Sequence, residues 1–307
     1  MFYNGEKGNV NMKIIQTNDN KSYQTPSKKK SAAAIYTGTL VQSAAIAPVS
    51  LLMSDKIIDS MWRINDSADK NILNKAITDA FQKSDLSKKG LKLTVYNPKE
   101  QLSYNDIILN YLAELQQKEP KEILKKPGKI INDLMIKLIE QGYNAAFDNK
   151  TNTININTNK MGTAFFHELG HAINFNNSVF WKSMQKMRMP FALTSTLLPV
   201  VAIAKRKKAP QEEPKNIIDK TTDFVKNNVG KLTFISMVPI IAEELKATQR
   251  GNKIAKTLLS PELYKKVINS NKIGATSYIA TALSMGFGAY LGNLVRDKIA
   301  KPAEIKK

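Results

Sequence analysis

The chain contains two histidines, His167 and His171, standing four residues apart with Glu168 directly after the first. The window Phe165-Phe166-His167-Glu168-Leu169-Gly170-His171-Ala172-Ile173 is an H-E-x-x-H arrangement inside an apolar helical stretch. On a helix the i, i+4 spacing puts both imidazoles on one face, one turn apart, within reach of a single ion. Two neutral imidazoles and a carboxylate make a three-point zinc set with the fourth position left for water. Glu168 sits next to a ligand without occupying the ion. It can therefore take the proton of a water whose pKa is drawn toward about 7 as that water attacks a peptide carbonyl. The expectation is one Zn2+ per chain and zinc-dependent peptide-bond hydrolysis with Glu168 as general base. The competing expectation is a zinc-binding scaffold, in a membrane or soluble, that cleaves nothing.

The third ligand must be a non-histidine. Glu243 and Glu244 follow the apolar segment Leu232 to Ala242 and open a helical window. In it Glu244, Ala247, Thr248 and Gly251 share one stripe, a carboxylate followed by small residues that let another helix come close. Glu244 is favoured; Glu243, Asp219 and Asp223 are the alternatives. The plain reading of the pair is a helix N-terminus, where acidic residues favour the macrodipole. An oxyanion stabiliser is also expected, and Tyr264, Tyr278, Tyr290 and Arg250 are equal candidates.

Composition limits the rest. The 307 residues carry a net charge of +20 and no cysteine. That excludes disulfide scaffolds, thiol nucleophiles, iron–sulfur clusters and thiolate zinc fingers. A hydrophobic fraction of 42% with a mean hydropathy of −0.31 excludes both a polytopic transporter and wholesale disorder. Of 46 basic residues only Arg63, Arg188, Arg206, Arg250 and Arg296 are arginine. Base readers lean on arginine, so no specific nucleic-acid partner is expected. The partners expected are a peptide or protein substrate and a lipid bilayer.

The elements that must position the site read as an α+β, mostly helical fold with a small sheet and additional apolar helices. Residues 1–30 are polar and aperiodic, a disordered tail. Residues 31–54 carry no charge and, as a helix, cover about 30 Å of hydrocarbon, a transmembrane expectation that 273–295 shares. Residues 55–188 form the domain with H-E-x-x-H. Helical periodicity marks Asp69 to Lys83, Tyr104 to Leu115 and Ile130 to Ile139, with a Lys/Pro/Gly linker around Pro120 to Gly128. Leu91 to Tyr96 alternates like a strand, and Asn144 to Asn157 reads as a hairpin turning at Asp148-Asn149-Lys150. Residues 189–243 read as an apolar helical hairpin around the basic run Lys205–Lys208, short for membrane spans. Then come a third-ligand helix (244–272), the apolar helix 273–295 and a basic tail (296–307). If 31–54, 273–295 and both arms of the 189–243 hairpin span, the positive-inside rule puts Lys28–Lys30, Lys205–Lys208 and the C-terminal tail in the cytoplasm, with His167, His171 and Glu244 together on the opposite side.

The pieces HELGHAINF, an apolar stretch with Leu-Pro-Val, a second apolar stretch, E-x-x-A-T-x-x-G and TSYIATALS together resemble the bacterial membrane-associated neutral zinc metallopeptidases. More distantly they resemble the heat-shock-type membrane zinc proteases of the gluzincin clan. The resemblance covers roughly residues 140–295. It implies a zincin-like catalytic domain, a zinc endopeptidase activity and a place in the bacterial cell membrane. It puts the third ligand on Glu244 and implies that Thr248 orients a ligand histidine. The chain has Thr where that pattern has Ser or Asp, and an extra acid at Glu243. The resemblance also implies an open edge strand that holds substrate as an added strand, here Thr153, Ile154, Asn155, Ile156 and Asn157.

Overall fold

The computed structural model describes residues 14–16, 22–119, 127–209 and 212–305. Its elements are β1 (Ile14–Gln16), β2 (Ser22–Gln24), α1 (Lys28–Asp66), α2 (Lys70–Lys83), β3 (Lys92–Val95), α3 (Tyr104–Gln116), α4 (Pro127–Glu140), β4 (Ala146–Asp148) and β5 (Thr153–Ile156). They continue with α5 (Thr158–Met161), α6 (Phe165–Asn177), α7 (Val179–Lys186), α8 (Arg188–Ala204), α9 (Ile217–Leu258), α10 (Pro261–Ile299) and β6 (Ala303–Ile305). The fold is α+β and mostly helical. Two compact units are made of interleaved segments. One is Leu51–Met189 with Pro239–Ile279; the other is Met1–Ser50 with Pro190–Val238 and Ala280–Lys307. The units are not consecutive in the chain: α1, α8, α9 and α10 each contribute residues to both.

The first unit carries the histidines. Asp69 caps α2 by accepting from the Asn71 and Ile72 amides, and Ser103 caps α3 at the Asp106 amide. The sheet order is β3-β5-β4, with β3 parallel and β4 antiparallel to β5. β5 is therefore the middle strand, buried along its length and paired on both sides. This overturns Thr153–Asn157 as an open substrate edge. The free edges belong to β3 and β4, because a parallel partner arrives from residues 92–95. Leu73, Ile77, Ile154, Phe165, Phe166 and Leu169 are the centre of the core, none more than 2% exposed. Each such side chain contributes about 2–3 kcal/mol by leaving water.

The second unit is helical, with a three-stranded antiparallel sheet β1-β2-β6. Residues 14–16, 22–24 and 28–30 are thus regular structure, not a structureless tail; the rest of the expected tail up to residue 21 lies outside the described residues, as does 120–126 of the expected linker. Its helices meet through glycine. A β-carbon on Gly38 would lie 2.8 Å from the Gly292 carbonyl oxygen, and one on Gly230 2.8 Å from that of Gly286. The basic run is not free. Lys205 and Lys208 both pair with Asp219 and Asp223 at the start of α9, and Arg206 pairs with Glu212. Nor is Arg296 part of a basic tail, since it is 1% exposed within α10.

Among the described residues no single helix is long and apolar enough to cross a membrane. The uncharged windows 31–54 and 273–295, diluted by Ala, Ser, Thr and Gly, do not reach the apolarity of a span. α7 and α8, bent by 42°, satisfy length and composition together.

Candidate metal centre

The ligand helix and the carboxylate helix touch backbone to backbone. A β-carbon on Gly251 of α9 would overlap the Phe166 carbonyl oxygen, and one on Gly170 of α6 would overlap that of Ala247. Small residues at 170, 247 and 251 thus let the backbones of α6 and α9 meet with no side chain between them, which carries Glu244 over the imidazoles. Glu244 lies in the middle of the 42-residue α9. The helix N-terminus reading of the two glutamates is overturned by this continuity.

Three atoms converge. His167 Nε2 lies 3.0 Å from His171 Nε2 and 3.1 Å from Glu244 Oε2, and His171 Nε2 lies 3.2 Å from the same oxygen. A tetrahedral ion with bonds of about 2.0–2.1 Å holds its ligand atoms about 3.3 Å apart. The triangle is therefore of the size that a tetrahedrally bound cation accepts, with an adjustment of a few tenths of an ångström. Of the described His, Asp and Glu residues, His167, His171 and Glu244 form the group able to hold an ion.

Each imidazole is fixed through its other nitrogen. His167 Nδ1 is 3.0 Å from Thr248 Oγ1, and His171 Nδ1 is 3.0 Å from Glu243 Oε1. Donation from Nδ1–H to those oxygens leaves both Nε2 lone pairs for a metal. Thr248 thus stands where the resemblance puts it. Glu243 meets His171 at Nδ1, away from the three converging atoms. Its Oε1 also accepts from Asn174 Nδ2 at 2.9 Å and Gln185 Nε2 at 2.7 Å. Arg188 donates to both glutamates, through Nη1 to Glu243 at 3.3 Å and through Nη2 to Glu244. Arg188, Asn174 and Gln185 are invisible to spacing arguments; the one signal was an arginine at the mouth of an uncharged run. Asp219 and Asp223 lie in the other unit, held by lysines.

The electrostatics favour a cation. Burial alone would lower His171, but Glu244 and Glu243 overcome it and push the imidazole up to about 10. Burial would raise Glu244, yet His171 and Arg188 hold it well below the usual carboxylate range. Glu243 is likewise pulled below its ordinary value by the His171 hydrogen bond, against burial. Glu168 behaves oppositely. Burial raises it, against the opposing pull of the two histidines, and its Oε2 accepts the Phe147 amide of β4 at 2.7 Å.

A cleft of about 700 Å3 is lined by Glu168, His171, Arg188, Glu244 and Tyr278 and by Ala146, Phe147 and Asp148 of β4. Of the four oxyanion candidates, Tyr278 alone lines this cleft. Tyr264 and Arg250 line a separate pocket on α9, and Tyr290 belongs to the other unit. Comparison with protein-family models, curated proteins and solved structures finds no match for this chain.

Proposed function

We propose that this chain is a zinc-dependent endopeptidase of zincin-like design. The observation that carries the reading is the convergence of His167 Nε2, His171 Nε2 and Glu244 Oε2 at 3.0–3.2 Å beside a buried Glu168. Zinc, when bound there, supplies Lewis acidity that makes water a nucleophile near neutral pH. Glu168 accepts the proton of the attacking water and returns it to the leaving amine, a role suited to a carboxyl raised by burial. Tyr278 lines the cleft beside Arg188, whose guanidinium is 5.9 Å from the ring centroid. Its hydroxyl donates to the developing oxyanion. β4, whose Ala146, Phe147 and Asp148 line the cleft, is the sheet edge along which an extended peptide lies, with the Phe147 amide itself taken by Glu168.

A membrane association for the protein rests on the second unit. Leu40, Leu197, Val200, Phe224, Leu283 and Phe287 are each at least 50% exposed on its helices, while Lys226, Ser195 and Arg296 are buried. Apolar exteriors over polar, glycine-packed interiors suit a lipid surface.

Zinc content and peptide cleavage of the wild type, Glu168→Gln and Glu244→Ala test the proposal together. Glu168→Gln should keep about one zinc and lose turnover by roughly 100-fold to 10,000-fold, and Glu244→Ala should lose much of both. A zinc-loaded wild type that cleaves no peptide leaves the scaffold reading standing. Carbonate extraction tests the membrane association, an integral protein staying in the pellet.

A further inference from the structure

Gly274 lies in the interior of α10, where glycine costs about 1 kcal/mol relative to alanine. The helix glycines around the metal centre have an evident reason, since Gly170 and Gly251 each meet the backbone of the opposite helix. Gly274 has none of that kind. A β-carbon built on it meets no atom within 4 Å, and its φ is not among the positive values. What lies in front of it is space. A chamber of about 130 Å3 is lined by Gly274, Ile57, Met61, Met161 and Ala164, and also by His167 and Glu168 of the site. Ser270, Asn271, Ser277 and Tyr278 line it too, and with Gly274 these mark one face of α10 at helical spacing.

The size suits one side chain. A cavity of about 150 Å3 takes a benzene ring, so this one has room for about four heavy atoms, with Ile57, Ile58, Met61 and Met161 as the large apolar side chains of a wall that is otherwise mostly polar. Because Glu168 walls both the chamber and the cleft, a side chain entering the chamber belongs to a residue adjoining the bond under attack.

We propose that this chamber receives a medium-sized aliphatic side chain, leucine or methionine, of the residue flanking the scissile bond, and that Gly274 is the specificity-determining residue that keeps it open. The proposal rests on the endopeptidase reading and adds the substrate class. It makes Gly274 a gate by omission: a bulky side chain there occupies the volume that the substrate uses.

The test uses the zinc-loaded full chain and pairs of peptides differing by leucine or glycine next to the cleaved bond, with Gly274→Ala and Gly274→Leu. Wild type should cleave the leucine peptide with a kcat/KM at least about tenfold higher, within the roughly 10- to 200-fold range of pocket discrimination. Gly274→Leu should lose that preference by falling at least about tenfold on the leucine peptide and less than about threefold on the glycine peptide. Gly274→Ala should keep the preference. Equal losses on both peptides in Gly274→Leu assign the glycine to the helix backbone and overturn the proposal. Wild-type cleavage indifferent to the flanking residue overturns it too, while leaving the endopeptidase reading intact. If zinc-loaded wild type cleaves neither peptide, that reading falls and takes the proposal with it. The unfolding midpoint gives a readout free of substrate: filling open space should raise it in Gly274→Leu, and a fall shows that the space is not there.

Discussion

Gly170 of α6 faces the carbonyl of Ala247 on α9 with no room between them for a β-carbon. The contact sits one residue before His171 and three after Glu244, so the backbone contact and the convergence of His167, His171 and Glu244 share one stretch of the two helices. Replacing Gly170 with alanine must push α9 away and carry Glu244 with it. The expected cost is about 3 kcal/mol of overpacking, together with loss of zinc. Gly251→Ala, which meets the Phe166 carbonyl, should behave alike. Zinc analysis with thermal unfolding checks both, and a Gly170→Ala protein that binds zinc normally would show that the helices need not touch.

Glu243 and Thr248 each hold one ligand histidine by Nδ1. Neither reaches the metal triangle, so their loss should weaken zinc without abolishing it. Glu243→Gln and Thr248→Val should each lower zinc affinity by about 10- to 100-fold, measured by competition with a chelator. Should Glu243→Gln eliminate binding while Glu244→Ala spares it, the two glutamates have been assigned the wrong way round.

Much of this site was legible because its parts are local. His167, Glu168 and His171 fall within one turn and a half of helix, and Glu244 announces itself by Ala247, Thr248 and Gly251 at helical spacing. The same holds for α2, α3, α4 and the β4–β5 hairpin, whose periodicity and turn lie in single windows. What failed is non-local. β5 became a central strand only because Lys92–Val95, some 60 residues earlier, pairs parallel to it, and parallel pairing leaves no turn signature between its strands. β6 joins β2 across nearly the whole chain. Arg188 was hidden because a cation beside an apolar run looks like a membrane flank until Glu243 and Glu244 arrive from α9. The uncharged helices are ambiguous in their own way, since absence of charge marks both lipid-facing segments and small-residue helix crossings such as Gly38 on Gly292.

Lys226 is a different kind of buried group. It is 4% exposed and donates to the Ala202 carbonyl at 3.0 Å, to Asn293 Oδ1 at 2.7 Å and to Asp297 at 2.7 Å. The Ala202 carbonyl belongs to the last turn of α8, where it has no helical partner of its own. Lys226→Met removes the cation and leaves that carbonyl and Asp297 less satisfied. A loss of about 3 kcal/mol is expected, against less than about 0.5 kcal/mol for Lys231→Met, whose side chain is exposed. Equilibrium unfolding of the two variants side by side decides it, and equal stabilities would make the Lys226 network ornamental.

The carboxylates around His171 set how the protein answers to pH. In protein stripped of metal, His171 keeps its proton up to about 10, above the ordinary 6.5. Its contribution to stability is therefore complete below pH 6.5 and fades as pH climbs toward 10. Glu244 and Glu243 are depressed, so theirs is present above about 4.5 and fades in acid. The chelated protein should be most stable between roughly pH 5 and 6.5 and weaken on both sides. Zinc binding runs the other way on the alkaline side, because the ion must displace the His171 proton. Between pH 6.5 and 8.5 its affinity should climb by up to about tenfold per pH unit. A chelator titration at three pH values reads this directly. Affinity that stays flat over the interval would mean that His171 carries no proton for the metal to displace.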